Sequence, residues 1–172
     1  MGGAHDDEMG ERLARFLTAQ LDGATDIRID DLRRTSAGFS RENWVFDASW
    51  RDASGALVHE RLIARRDPQG SVLDTDRRVE FAVLRALEAT DIPAPRVRWL
   101  DADGAWLGRP SVVMVREEGV CDWFVLSGDR PLEARVAIAQ RFLDLLVSIH
   151  RVDWRAAGLG DVLDDPGPNA AL

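Results

Sequence analysis

An alternation of large apolar side chains with smaller or more polar ones over residues 43–50 is the feature that most constrains the fold. The first set of positions holds Trp44, Phe46, Ala48 and Trp50, and the second holds Asn43, Val45, Asp47 and Ser49. A period of two predicts a β-strand with one well-buried face. A turn-forming stretch at 52–55 follows, and residues 56–65 return as a hairpin partner. The chain is therefore expected to build an antiparallel sheet around this hairpin.

Patterns on both sides of the hairpin extend this prediction to most of the chain. Apolar residues at helical spacing predict helices at about 8–21, 74–89 and 131–151, and strand patterns begin at Ile27 and recur at 97–100 and 111–115. The predicted fold class is α+β, with about five antiparallel strands. One helix is inserted between the third and fourth strands, another precedes the sheet, and a long one follows it. The predicted domains are an N-terminal helix (1–24), a sheet lobe with its exit segment (25–119), the start of a helical lobe (120–160) and a disordered tail (161–172).

Composition excludes several classes of site. All 22 basic residues are arginine, so neither a P-loop lysine nor a lysine nucleophile exists. A net charge of −8, without a basic block interleaved with aromatic residues, argues against a nucleic-acid partner. The single cysteine, Cys121, and three scattered histidines do not match a zinc site. No run approaches the roughly 18 to 20 apolar residues of a membrane span, and the N-terminus is acidic. We therefore expect a cytoplasmic protein without membrane contact.

Three segments carry residues that could perform chemistry. Gly38, Phe39 and Ser40 lie between the first two strands, where a glycine beside a serine can form a concavity of N–H donors for phosphate oxygens. An ordinary hairpin turn explains the same residues. Arg65 ends the third strand, either as an anion-binding cation or as a solvated charge. Glu80 lies at the border of the apolar stripe of the inserted helix, where it could reach the sheet or remain an exposed glutamate among neighbouring arginines.

The strand at 111–115 ends in a polar corner that forms a fourth candidate segment. Met114, Val115, Arg116 and Glu117 occupy this exit. Backbone groups at such a position can hydrogen-bond a ligand while imposing little on side-chain identity. Met114 is equally explained as a core methionine.

The order of these segments resembles the ATP-binding lobe of the aminoglycoside phosphotransferase family, whose fold is similar to that of protein kinases. The subgroup most resembled is associated with acyl-CoA dehydrogenases, since Arg-Arg-Asp-Pro follows the third strand and Ile-Pro-Ala-Pro-Arg precedes the fourth. The resemblance implies a kinase-like N-lobe with an inserted helix equivalent to the kinase αC helix.

The resemblance also implies roles for the candidate residues. Gly38, Phe39 and Ser40 would fold over the phosphates of ATP, and Arg65 would take the place of the usual lysine at the α- and β-phosphates. Glu80 would pair with Arg65 and hold it in position. Met114, Val115, Arg116 and Glu117 would form the hinge beside the adenine, with Met114 on its back wall. Mg²⁺ would accompany the nucleotide only.

Complete members of the family carry a histidine-glycine-aspartate loop and a later metal-binding aspartate, and residues 1–172 contain neither at the required spacing. We therefore expect no catalytic residue and no metal ligand here, and a chain that binds ATP but is inactive by itself. The alternative is a non-catalytic interaction module. Its partner would be a second copy or the missing helical lobe, bound through helix 131–151, whose apolar stripe needs a cover.

Overall fold

The computed structural model describes residues 3–35, 42–67, 76–119, 128–165 and 167. In chain order these residues form α1 (Gly3–Gln20), β1 (Thr25–Thr35), β2 (Glu42–Arg51), β3 (Leu57–Arg66), α2 (Arg77–Leu87), β4 (Val97–Asp101), β5 (Ser111–Val115) and α3 (Leu132–His150). The α+β class, the five strands and the helix between β3 and β4 are confirmed. Residues 166 and 168–172 of the predicted tail lie outside the described residues.

The five strands form one antiparallel sheet in the order β1-β2-β3-β5-β4. The β2–β3 hairpin keeps a continuous register over ten residue pairs, whereas β1 shifts register twice. Each shift contains an aspartate with a positive φ, 55° at Asp26 and 50° at Asp31, a conformation that aspartate tolerates better than most residues. These irregularities twist an edge strand that would otherwise present a long, regular pairing surface.

One face of the sheet packs against α1 and carries the main core. Trp44, Phe46, Ala48 and Trp50 are at most 6% exposed, which confirms the buried face predicted from the alternation. The apolar stripe of α1 completes this core with Met9, Leu13, Phe16 and Leu17. The N-terminal helix therefore shares one hydrophobic core with the sheet.

The opposite face of the sheet packs against α2. Val97, Val112 and Met114 form a second buried cluster there, with Phe81 and Leu84 of α2 against it. Successive strand residues point to opposite faces. The two consecutive arginines at the end of β3 therefore face different sides: Arg65 lies on the α2 face and Arg66 on the α1 face.

The chain divides into two compact units, one of residues 1–84 with 95–116 and the other of residues 85–94 with 117–172. The sheet, α1 and most of α2 belong to the first unit. The second contains α3, which has no buried residue and exposes Leu132, Phe142 and Leu143 by 70%, 64% and 58%. Within the described residues, no helix is both long enough and apolar enough to span a bilayer.

Candidate functional site

The structure brings Arg65 and Glu80 together on the α2 face of the sheet. Nη1 of Arg65 donates to Oε1 of Glu80 at 2.7 Å. The start of α2 fixes the position of Glu80: Asp76 precedes the helix and accepts the amide N–H of Arg78 at 2.8 Å, as an N-cap residue does. Glu80 is therefore presented to the sheet from the first turn of α2.

A second arginine holds the same carboxylate. Arg77 donates to the other oxygen of Glu80 and to Asp67, and its side chain is fully buried. The alternative of an exposed Glu80 among neighbouring arginines does not describe Arg77, and the sequence analysis did not identify this arginine as a buried partner. The available signal was its place in the first turn of a helix, where the macrodipole disfavours a cation unless carboxylates compensate it.

Three buried polar atoms at this cluster have no hydrogen-bond partner in the described part of the chain: Nε of Arg65, Nε of Arg77 and Oδ1 of Asn43. Asn43 on β2 and Arg65 on β3 are register partners and share a face. Buried polar groups are almost always hydrogen-bonded, so unpaired ones indicate a missing partner. A donor on an arginine that is 38% exposed fits an anionic oxygen, and the amide oxygen fits a hydroxyl or a water.

Apolar side chains continue the same face away from Arg65. Val45 pairs in register with Ile63, and Ile63 pairs with Met114, so the three form a row across β2, β3 and β5. Met114 is 2% exposed within the second core cluster. This row could support a flat ring; the part assigned to Met114 in holding adenine stays a prediction.

The predicted hinge uses its first amides in the sheet. The N–H of Val115 donates to the carbonyl of Arg96, and the N–H of Arg116 donates to the carbonyl of Arg61, both at 2.8 Å. Neither amide is available to a ligand. Glu117 follows as an exposed residue.

The geometry leaves two predictions untested: the contact of the 38–40 loop with phosphates, and the expectation of no metal ligand. Gly38, Phe39 and Ser40 lie outside the described residues. Among the residues that the structure does describe, no group of three or more histidine, cysteine, aspartate or glutamate side chains could hold a metal ion.

The α1 face carries a second charged cluster that sequence reasoning missed. Glu42 is 4% exposed and accepts hydrogen bonds from Arg66 at 2.8 Å, Arg109 at 3.2 Å and the indole N–H of Trp44 at 3.0 Å. Burial alone would raise the pKa of Glu42, but hydrogen bonding and Coulombic attraction from Arg66, with smaller contributions from Trp44 and Arg34, bring it below its ordinary value. Position 42 has the same parity as buried Trp44, a signal that could have identified this charge as buried.

A model of the phosphotransferase enzyme family, also called APH, matches residues 31–171. The chain belongs to this family. It is similar to the Arabidopsis thaliana protein named probable acyl-CoA dehydrogenase IBR3, with 35% identity over 103 residues. That stretch covers 58% of the chain and 12% of the relative. The match agrees with the predicted resemblance to phosphotransferases associated with acyl-CoA dehydrogenases.

The fold is also similar to the crystal structure of a Ralstonia eutropha protein named as a candidate aminoglycoside phosphotransferase. The TM-score is 0.63 at 24% identity, over 90% of this chain and 41% of that one. This likeness confirms the kinase-like N-lobe. The chain spans less than half the length of either relative.

Proposed function

We propose that the sheet unit is the ATP-binding lobe of a kinase-like, small-molecule phosphotransferase. The observation that carries the proposal is the Arg65–Glu80 ion pair, at 2.7 Å on the α2 face, in a chain of the phosphotransferase family. The pairing links the end of β3 to the inserted helix, which is the arrangement that holds a phosphate-binding side chain in kinases.

Each residue of the pair has a distinct task in this proposal. Arg65 binds oxygens of the α- and β-phosphates through its guanidinium, which can hold two oxygens at once. Glu80 accepts one Arg65 N–H and thereby fixes the direction of the others. Arg77 holds Glu80 from its other side, so the carboxylate keeps its place while Arg65 contacts the ligand.

ATP would enter this site as its magnesium complex, and the metal would neutralise phosphate charge during transfer. We propose no metal ligand and no catalytic base among the residues of this site. By itself the chain is therefore proposed to bind the nucleotide without transferring phosphate. A nucleotide ligand accords with the cytoplasmic location expected from the sequence.

Calorimetric titration of the chain with MgATP tests the proposal. Arg65→Met should weaken binding by about tenfold or more, since a hydrogen bond to a charged group contributes about 1.5 to 3 kcal/mol. Arg85→Met is the matched control: Arg85 lies on α2, is largely exposed and pairs with Glu88, so its loss should leave binding unchanged. Absence of binding by the parent chain, or equal affinity for parent and Arg65→Met, would contradict the proposal.

A second candidate function is self-association through α3. Phe142, Leu143 and Leu146 are 64%, 58% and 39% exposed on a helix without any buried residue. Such apolar surface is often an interaction site. Sedimentation velocity should then show a concentration-dependent dimer that Leu143→Gln dissociates. A monomer at every concentration would exclude this function.

A further inference from the structure

The side chain of Arg116 bridges the end of β5 and the middle of β2. Its Nη2 donates to Oδ1 of Asp47 at 3.0 Å, while its backbone N–H is bonded to Arg61 of β3 at 2.8 Å. Arg116 is thus fixed by main chain and side chain to two neighbouring strands. Its side chain is 19% exposed, so the guanidinium is held largely out of solvent.

This bridge lies on the same face of the sheet as Arg65. Arg116 follows Met114 by two residues, and Asp47 follows Val45 by two, so both pairs share the face that carries the apolar row. The contact with Arg61 places Arg116 four residues along β3 from Arg65. At about 3.3 Å per residue this is roughly 13 Å along the strand direction, so the two arginines lie on opposite sides of the apolar row.

One donor of Arg116 remains unused in the described part of the chain. Nη1 is buried and has no hydrogen-bond partner there. The amides of Val115 and Arg116 are both consumed by the sheet. At this end of the face the arginine side chain therefore keeps a buried N–H without a partner, whereas the amides of Val115 and Arg116 are already bonded.

The ligand group that fits this donor is uncharged. The Asp47 carboxylate, 43% exposed, already compensates the charge of the guanidinium, so this donor has no net positive charge with which to attract a phosphate group. A ribose oxygen or a purine ring nitrogen accepts a hydrogen bond without needing a compensating charge.

We propose that Nη1 of Arg116 donates a hydrogen bond to the nucleoside part of the bound nucleotide, and that Asp47 is the positioning residue that aims it. The inference rests on the proposed function, since it takes the phosphates to be at Arg65. It goes beyond that function by assigning recognition of the nucleoside to a side chain of the hinge.

Titrations with two magnesium complexes distinguish recognition of the nucleoside from recognition of the phosphates. MgATP contains a nucleoside, and magnesium tripolyphosphate does not. Arg116→Met should lower the affinity for MgATP by about tenfold and leave that for tripolyphosphate unchanged. Arg65→Met should weaken the binding of both. Arg98→Met, which removes a partly buried arginine of edge strand β4 that pairs with Glu60 of β3, should change neither.

Asp47→Asn provides a second test that keeps the arginine. It should lower the affinity for MgATP alone, by a smaller factor than Arg116→Met, and it remains informative if Arg116→Met does not fold.

Dideoxy-ATP, which lacks the ribose hydroxyls, then identifies the acceptor of the Arg116 hydrogen bond. If Arg116→Met no longer weakens binding of this analogue, the acceptor is a hydroxyl; if the effect persists, it is the base or the ring oxygen. Both results support the proposal.

The same titrations distinguish a failure of the proposed function from a failure of the role proposed for Arg116. A parent chain that binds neither complex contradicts the proposed function itself. A parent that binds MgATP, with Arg116→Met and Asp47→Asn binding it equally well, overturns the role of Arg116 and leaves the function standing. An equal loss for MgATP and tripolyphosphate in Arg116→Met would also overturn it.

Discussion

Arg65 and Arg66 are neighbours in β3, yet they end in very different surroundings on the two faces of the sheet. Arg66 has a side chain 9% exposed; its Nε and Nη2 donate to Glu42 and its Nη1 to the carbonyl of Leu107. Arg65 is 38% exposed, and its Nε has no partner within the described residues. The same residue type is thus saturated on one face and unsaturated on the other.

The difference distinguishes a stabilising cluster around Arg66 from the proposed binding site around Arg65. A buried ion pair whose groups are all satisfied fixes the local structure, and removing one partner leaves an uncompensated charge. A partly exposed arginine with an unused donor contributes little to stability but can bind an anion. The contrast therefore supports a structural part for Arg66 and the proposed ligand-binding part for Arg65.

Replacing each arginine by methionine should reveal this division, and it gives the largest expected effect. Arg66→Met should lower the free energy of unfolding by about 3 kcal/mol or more, because Glu42 stays buried without its main partner. Arg65→Met should lower it by less than about 1 kcal/mol, because Arg77 still compensates Glu80. Urea unfolding of both variants measures the contrast, and equal losses would show that the two faces do not differ as described.

A glycine in the turn between β4 and β5 lies against Arg109, which donates to Glu42 in the cluster around Arg66. Its replacement should have the next largest effect. Gly104 has a φ of +70°, and a Cβ there would lie 2.4 to 2.6 Å from main-chain atoms of Arg109. Gly104→Ala should cost about 2 to 5 kcal/mol, from left-handed strain and from the clash.

Gly55→Ala is the matched control for the clash. Gly55 has a φ of +83° and nothing within 4 Å of the added carbon. It should therefore show the strain alone, about 1 to 2 kcal/mol. Equal losses for the two variants would mean that contact with Arg109 is unimportant.

The loss of stability at acidic pH should also depend on the cluster around Glu42, and this effect should be the smallest. The pKa of Glu42 is lower in the folded chain than its ordinary value of 4.5. Its contribution is therefore fully present above pH 4.5 and is lost as the pH falls through the folded pKa. Glu42→Gln, which resembles the protonated side chain, should be less stable than the parent at pH 7, and the difference should shrink below pH 4.5. Urea unfolding from pH 7 to pH 3 measures it, and a difference independent of pH would exclude this role.

Local sequence patterns were sufficient for the elements, and the family resemblance added one contact. The alternation around Trp44 and Phe46 identified the buried face because a strand repeats every two residues. The family resemblance indicated the Arg65–Glu80 pair, which no local pattern specifies. The structure shows the two side chains in contact, although they are 15 residues apart.

The remaining contacts depend on long-range packing that local patterns do not encode. Glu42 meets Arg109 across 67 residues, and Arg116 meets Asp47 across 69. Each contact requires the strand order of the sheet, where β5 rather than β4 lies beside β3. A hairpin pattern predicts neighbours along the chain but not this exchange of the last two strands.

The most direct test of the division between the faces is an NMR titration of the arginine Nε–H signals with MgATP. Arg65→Lys and Arg66→Lys variants would assign the two signals. The account predicts that the Arg65 signal shifts as the nucleotide saturates, while the Arg66 signal, already bonded to Glu42, stays in place. An unchanged Arg65 signal at saturating MgATP, or an equal shift of the Arg66 signal, would contradict it.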